Sequence, residues 1–145
     1  MRSKLRFHKQ ETPNSCLPAC LRMVLMAMGI AVSEAELRER CDYTMFGTDA
    51  FMAVDALRGL GFERSRKETG SIAGLMMELS AGQLPIVFVN LLPIDGIKVS
   101  HAMVVMDIQE NGVHVCDPRL GERIIARVAL EAGWVMMRGL VILVE

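Results

Sequence analysis

Gln10-Glu-Thr-Pro-Asn-Ser-Cys16-Leu-Pro-Ala-Cys20-Leu-Arg-Met-Val-Leu25-Met-Ala-Met-Gly29 divides into two unlike halves. The first is polar and turn-forming. The second is apolar at Leu17, Cys20, Leu21, Val24, Leu25 and Met28, a spacing of three and four that closes one face of a buried helix. Asn14 and Ser15 offer capping oxygens, Pro18 is tolerated in a first turn, and Gly29 suits a left-handed stop. Cys16 therefore stands at a helix N-terminus, where unpaired N–H groups and the positive end of the dipole favour a thiolate over a thiol. A free cysteine is more often a small buried hydrophobe, so Cys16 needs partners before it is read as a nucleophile.

Downstream, the helical rhythm repeats. Ser33 to Arg40 has a capping serine, Glu36 three residues on and Leu37 facing inward. A third helix runs from Thr48 or Asp49 to Leu60, with Phe51, Val54, Ala56, Leu57 and Leu60 near one stripe and Gly61 as the stop. A fourth spans Ser71 to Ala81 before Gly82. After Pro85 the pattern becomes β-rich: Ile86 to Leu91, His101 to Ile108, Gly112 to Cys116, Arg123 to Val128 and Leu140 to Val144, with a short helical turn at Leu130 to Trp134. The turn at Glu110 to Gly112 makes a hairpin of the second and third strands. Helices first and strands afterwards predict an α+β fold, its N-terminal helices packed to one side of a largely antiparallel sheet of about five strands. No repeat, low-complexity segment or linker divides residues 1–145, which read as one domain.

That hairpin supplies Cys16 with partners. His101 opens an otherwise apolar strand, and Asp117, sixteen residues on, ends the next one before Pro118. Folding the turn makes them cross-strand neighbours, with the kink at Asp117-Pro118 letting the carboxylate turn towards the ring. A carboxylate so placed fixes an imidazole's tautomer and orientation. Gln10, six residues before Cys16, can aim its side-chain amide at the same centre as the Cys16 N–H, which is the task of an oxyanion donor. Nucleophile, base, orienting acid and oxyanion donor form a papain-type set in the order Cys, His, Asp.

Gln10 to Leu25, together with His101-Ala-Met-Val-Val-Met-Asp and Val115-Cys-Asp117-Pro-Arg-Leu-Gly121, resembles the two motifs of the bacteriocin-processing, double-glycine cysteine peptidases. These are papain-like domains often fused to peptide-exporting ABC transporters. The resemblance spans nearly the whole chain. It implies a papain-like cysteine peptidase fold, with Cys16 as nucleophile, His101 as general base, Asp117 as its orienting partner and Gln10 in the oxyanion hole. It further implies a peptide or protein substrate cleaved after a Gly-Gly or Gly-Ala pair, its helical leader docking away from the catalytic groove, and an export transporter as a partner. Leu17 stands where family members commonly carry Gly, so this groove is expected to be narrowed or reshaped. The chain is read as a freestanding enzyme or an excised domain.

Other classes are bounded by composition. The 145 residues are 52% hydrophobic and 23% charged, with 16 basic against 17 acidic side chains. Such a balance argues against nucleic acid as a partner, because the basic clusters Arg2 to Lys9 and Arg64 to Lys67 are short and offset by acids elsewhere. The apolar windows Leu21 to Val32 and Leu84 to Ile94 are interrupted and too short to span a bilayer. Four cysteines without an apolar signal segment suggest the reducing cytoplasm. Met23, Met26, Met28, Met76 and Met77 read as core filler, with a peptide-binding surface as the alternative. Cys16, Cys20, His114 and Cys116 could compose a Cys3His zinc set, but the Cys spacing is loose for one and Cys20 is explained by its helix face, so neither metal nor cofactor is expected. A catalytically silent leader-binding module, or acyl transfer and deamidation on the same triad, are the alternatives to peptide hydrolysis.

Overall fold

Residues 5–42, 47 and 49–145 are described by the computed structural model. Arg2, in the first basic cluster, and Thr48, one of the two helix starts considered, lie outside them. The helices are α1 (Cys16–Ala27), α2 (Glu34–Arg40), α3 (Ala50–Gly59), α4 (Ile72–Ser80), α5 (Leu92–Asp95) and α6 (Arg127–Met136). The strands are β1 (Arg66–Thr69), β2 (Ile86–Asn90), β3 (Ser100–Ile108), β4 (Gly112–Asp117), β5 (Gly121–Ala126) and β6 (Leu140–Leu143). They form one sheet in the order β1-β6-β2-β3-β4-β5, with every neighbouring pair antiparallel. The α+β, papain-like expectation is met, with six strands where about five were predicted.

The additional strand is β1, whose Arg-Lys-Glu-Thr carries no apolar alternation. It lies at the sheet edge against β6 and needs no buried side chains, so polar residues suffice. A second difference concerns the sheet's faces. Ile86, Ala102, Val104, Cys116 and Ile142 point into a core shared with α1, α2 and α3. Their alternates, including Val87, Val89, Met103, Val105, Val115, Val141 and Leu143, point into a second core with Leu75 and Leu79 of α4 and Leu130 and Trp134 of α6. Helices therefore cover both faces and not one, which is why β2 and most of β3 are almost continuously apolar. The short helical turn expected near Leu130 is the ten-residue α6, and it absorbs Arg127 and Val128, read above as strand.

Local expectations met mixed outcomes. Ser33 caps α2 by accepting from the Glu36 N–H (3.1 Å), and Gly29 ends α1's turn at φ 87°. Phe51, assigned inward, is 64% exposed. Met23 is fully buried, whereas Met28, Met76 and Met77 are exposed, so core filling accounts for only some of the methionines.

One irregularity positions the site. The β3–β4 register runs Ile108↔Val113 and Asp107↔His114, then slips at a bulge to Val105↔Val115 and Val104↔Cys116. The bulge around Met106 lets Val105 and Ile108, three apart, both reach the second core. It also changes which residues share a face. An unbroken register would place Asp117 on the face opposite His101, whereas the slip puts both on the same one. Alignment of acid and imidazole thus comes from an extra residue in β3, in place of the expected kink after β4, and the two residues are diagonal neighbours. Asp117 itself is regular strand, paired with Gly121.

Candidate active site

Cys16 opens α1 beside a tightly tied turn. Ser15 does not cap the helix with its side chain as expected. Its hydroxyl instead accepts from the Thr12 N–H (3.0 Å) and donates to the Thr12 carbonyl (3.1 Å), closing the turn. The first-turn N–H groups of α1 are consequently not claimed by that hydroxyl. Two successive amides of the preceding strap are fixed to opposite parts of the molecule. The Gln10 N–H donates to the Pro118 carbonyl (2.8 Å), and the Glu11 N–H donates to both oxygens of buried Glu34 on α2 (3.0 and 3.1 Å). Glu34 is also paired with Arg38. The strap is thereby held between the loop after β4 and the helix layer, which carries Cys16 to the end of the sheet.

There it meets His101, which is 5% exposed, and Asp117, which is 1% exposed. His101 Nε2 lies 2.8 Å from Asp117 Oδ1. An ionised carboxylate only accepts, so this contact assigns the ring proton to Nε2 and leaves Nδ1 as the second ring nitrogen. Cys16 lines the same cleft as the ring and acts on its basicity. Burial alone would lower the basicity of His101, but the hydrogen bond to Asp117 and the influence of Cys16 outweigh it, raising its pKa to about 9. Burial would likewise raise the Asp117 carboxyl. The hydrogen bond and charge of His101, the Arg119 N–H and Arg123 hold it below the usual carboxylate range.

The remaining thiols differ from Cys16 in their surroundings. Burial pushes Cys20 well up, with Cys16, Cys116 and Asp117 adding to the effect. Burial and Asp42 push Cys41 to about 11, and burial with Glu122 and Asp117 pushes Cys116 to about 11. Cys116 rests against the Met23 sulfur at 3.6 Å, and His114 Nε2 lies 3.1 Å from Glu122. These contacts account for two members of the Cys3His set separately. Among the described residues no group of three or more His, Cys, Asp or Glu side chains could hold a metal ion.

A cleft of about 170 Å³ opens over Cys16 and His101, lined by Pro13, Asn14, Leu17, Gly47, Phe88, Val99, Ser100, Ala102 and Arg119. Three consecutive β3 residues line it, so it sits at the end of the sheet where side chains of both faces are accessible. Leu17, singled out by sequence, is both a wall of this cleft and almost wholly buried. Gln10, itself part of the strap, is buried. Its Nε2 donates to the carbonyls of Thr12 (2.8 Å) and Pro13 (3.1 Å), while its Oε1 is buried without a hydrogen-bond partner among the described residues. The structure therefore brings Cys16, His101 and Asp117 together, whereas Gln10 is not among the described residues that line the cleft.

Chain-wide similarity gives this arrangement its context. The model of the Peptidase C39 family matches residues 4–145. The chain belongs to the Peptidase C39 family. It is, as such, a cysteine peptidase. Among solved structures it is similar to the peptidase domain of Streptococcus ComA, a bi-functional ABC transporter involved in quorum sensing. That match has 27% identity and a TM-score of 0.80, covering 96% of each chain. A C39-like peptidase from Bacillus anthracis matches at 18% identity and TM-score 0.80, covering 99% of this chain and 96% of that one. A double-glycine-motif protease from an AMS/PCAT transporter, solved with its leader peptide, matches at 19% identity and TM-score 0.76, covering 97% and 91%. No curated protein sequence matches. Among the described residues, no helix of this C39 peptidase is long and apolar enough to cross a membrane.

Two residues near the candidate site have contacts that the sequence expectations did not include. Glu34 was only a first-turn acid of α2, and nothing local marks it as the anchor of the strap. Arg123 was only a strand residue, although a charge two positions before the buried Ile125 on one strand face signals a partner in the interior.

Proposed function

We propose that this C39 peptidase hydrolyses peptide bonds after a small residue pair of the Gly-Gly type in a leader peptide. The observation that supports this most is the buried His101–Asp117 pair beside Cys16 under a narrow cleft. Cys16 and His101 act as a thiolate–imidazolium pair. Sγ attacks the carbonyl carbon after the small pair, and the developing oxyanion takes hydrogen bonds from the Cys16 N–H and from Gln10, whose amide must exchange a carbonyl partner to reach it. His101 gives its proton to the leaving amine. It then accepts one from the water that opens the thioester, and the thiolate is restored. Leu17 and Phe88 restrict the residues next to the scissile bond, since about 170 Å³ is well below the roughly 300–1,000 Å³ of sites for larger ligands. By analogy with the transporter-borne relatives, the substrate is a secreted peptide processed on the cytoplasmic side, with an ABC exporter as partner.

The test combines cysteine labelling with cleavage. Iodoacetamide alkylation from pH 4 to 9, followed by peptide mass spectrometry, is expected to label Cys16 well below pH 8 and ahead of Cys20, Cys41 and Cys116. His101→Ala should remove that advantage. A panel of peptides with Gly-Gly, Gly-Ala and bulkier pairs should be cut only where both residues are small, and not at all by Cys16→Ala. Full cleavage by Cys16→Ala would overturn the assignment.

A further inference from the structure

The Asp117 carboxylate is held on both oxygens. Oδ1 faces His101 Nε2 and accepts from the Arg119 N–H, both at 2.8 Å, while Oδ2 accepts from an Arg123 guanidinium nitrogen at 3.3 Å. Arg123 is itself held by Asp95 at the end of α5, through contacts of 2.7 and 3.1 Å. The guanidinium thus joins β5, α5 and the end of β4, and one of its nitrogens serves both carboxylates. A carboxylate turns readily about the bond to its carbon stem. Oδ1 already shares its lone pairs between an imidazole and a backbone amide, so a donor on Oδ2 is what stops that turn.

The Arg123–Asp95 pair is about a quarter exposed, at 24% and 27%, and such a pair contributes little to stability by itself. The contact to Asp117 differs, because that carboxylate is 2% exposed and faces the imidazole on its other side. We propose that Arg123, braced by Asp95, is a positioning residue that keeps Asp117 Oδ1 directed at His101 Nε2 during turnover. The inference rests on the peptidase reading and adds to it a residue on β5, outside both sequence motifs.

The first test needs no substrate. In the full chain, the His101 Nε2–H should give a downfield proton resonance that Asp117→Asn removes. Arg123→Met keeps the aliphatic stem and removes the donors; it should move this resonance upfield and speed its exchange with water, and Arg123→Lys should fall between. A resonance unchanged in Arg123→Met would overturn the proposal. The second test uses Leu-Gly-Gly-aminomethylcoumarin as the probe. Arg123→Met should lower kcat about tenfold with KM within about twofold, but lower it less than about twofold when added to Asp117→Asn. Equal losses in both backgrounds, or a loss carried by KM, would show a structural or substrate-binding role and overturn it. Failure of the peptidase reading is separate: wild type would not cut the probe or the panel, or Cys16→Ala would cut as fast, and the resonance would still decide the role of Arg123.

Discussion

Asp117 shows how much a single side chain can govern. Burial disfavours charge on both Asp117 and His101, yet each keeps the other ionised through a 2.8 Å contact. For His101 the consequence has a sign. Its pKa of about 9 stands above the ordinary 6.5, so the imidazolium's contribution to stability is complete below about 6.5 and is lost as pH rises through about 9. Peptide turnover, which requires a proton for the leaving amine, should fall over the same alkaline range. Alkylation of Cys16, which requires only a thiolate, should not. Asp117→Asn removes the carboxylate that raises the imidazole and leaves burial to lower it. The alkaline limb of kcat should therefore move to lower pH, and kcat itself should fall roughly tenfold to a hundredfold. A limb unmoved in a pH–rate profile of Asp117→Asn would show that His101 does not depend on this carboxylate.

At the scale of elements, side-chain direction depends on backbone irregularities and on close approach. The bulge in β3 supplies the shared face of His101 and Asp117, and the Ser15 side chain closes the turn before α1 and does not cap the helix. Helix α6 lies so near β2 that a Cβ on Gly133 would stand 2.5 Å from the Asn90 carbonyl oxygen. Elsewhere in a helix, Gly to Ala is favourable by about 1 kcal/mol. Here the methyl meets backbone that cannot swing aside, and overpacking of this kind costs about 1–3 kcal/mol. Gly133→Ala should therefore lower Tm by several degrees, where an exposed helical glycine changed to alanine would raise it. Thermal unfolding by circular dichroism checks the direction.

Across the whole molecule, the site is assembled from parts with no local relation. Cys16 comes from the N-terminal helix layer, His101 and Asp117 from the ends of two inner strands, and Arg123 from the strand beyond. The strap before α1 joins them, tied to Pro118 on one side and to Glu34 on the other. Glu34→Ala would remove the acceptor of the Glu11 N–H and one of the carboxylates that the Arg38 guanidinium faces. Loss of charged hydrogen bonds of this kind costs about 2 kcal/mol. Expected outcomes are a lower Tm and a slower alkylation of Cys16 at pH 6, with the His101 proton resonance retained, since β3 and β4 do not depend on the strap. Loss of that resonance would instead show that the strap supports the whole site.

Helix order, the β-rich second half and the candidate residues Cys16, His101 and Asp117 were legible along the chain, because a helix start and two strand ends are marked by nearby residues. Three-and-four spacing marks a helix face, alternation marks a strand, and a hairpin turn brings two strand ends together whatever surrounds them. Contacts over long separations were not legible. Polar β1 gave no pattern, since an edge strand buries nothing, and the second helix layer was hidden because strands buried on both faces lose their alternation. The bulge that turns Asp117 onto the face of His101, the Glu34 anchor and the Arg123 brace each depend on which surfaces come within hydrogen-bond reach after packing. Local spacing carries no such information, and the register of one sheet and the seating of two helix layers supply it.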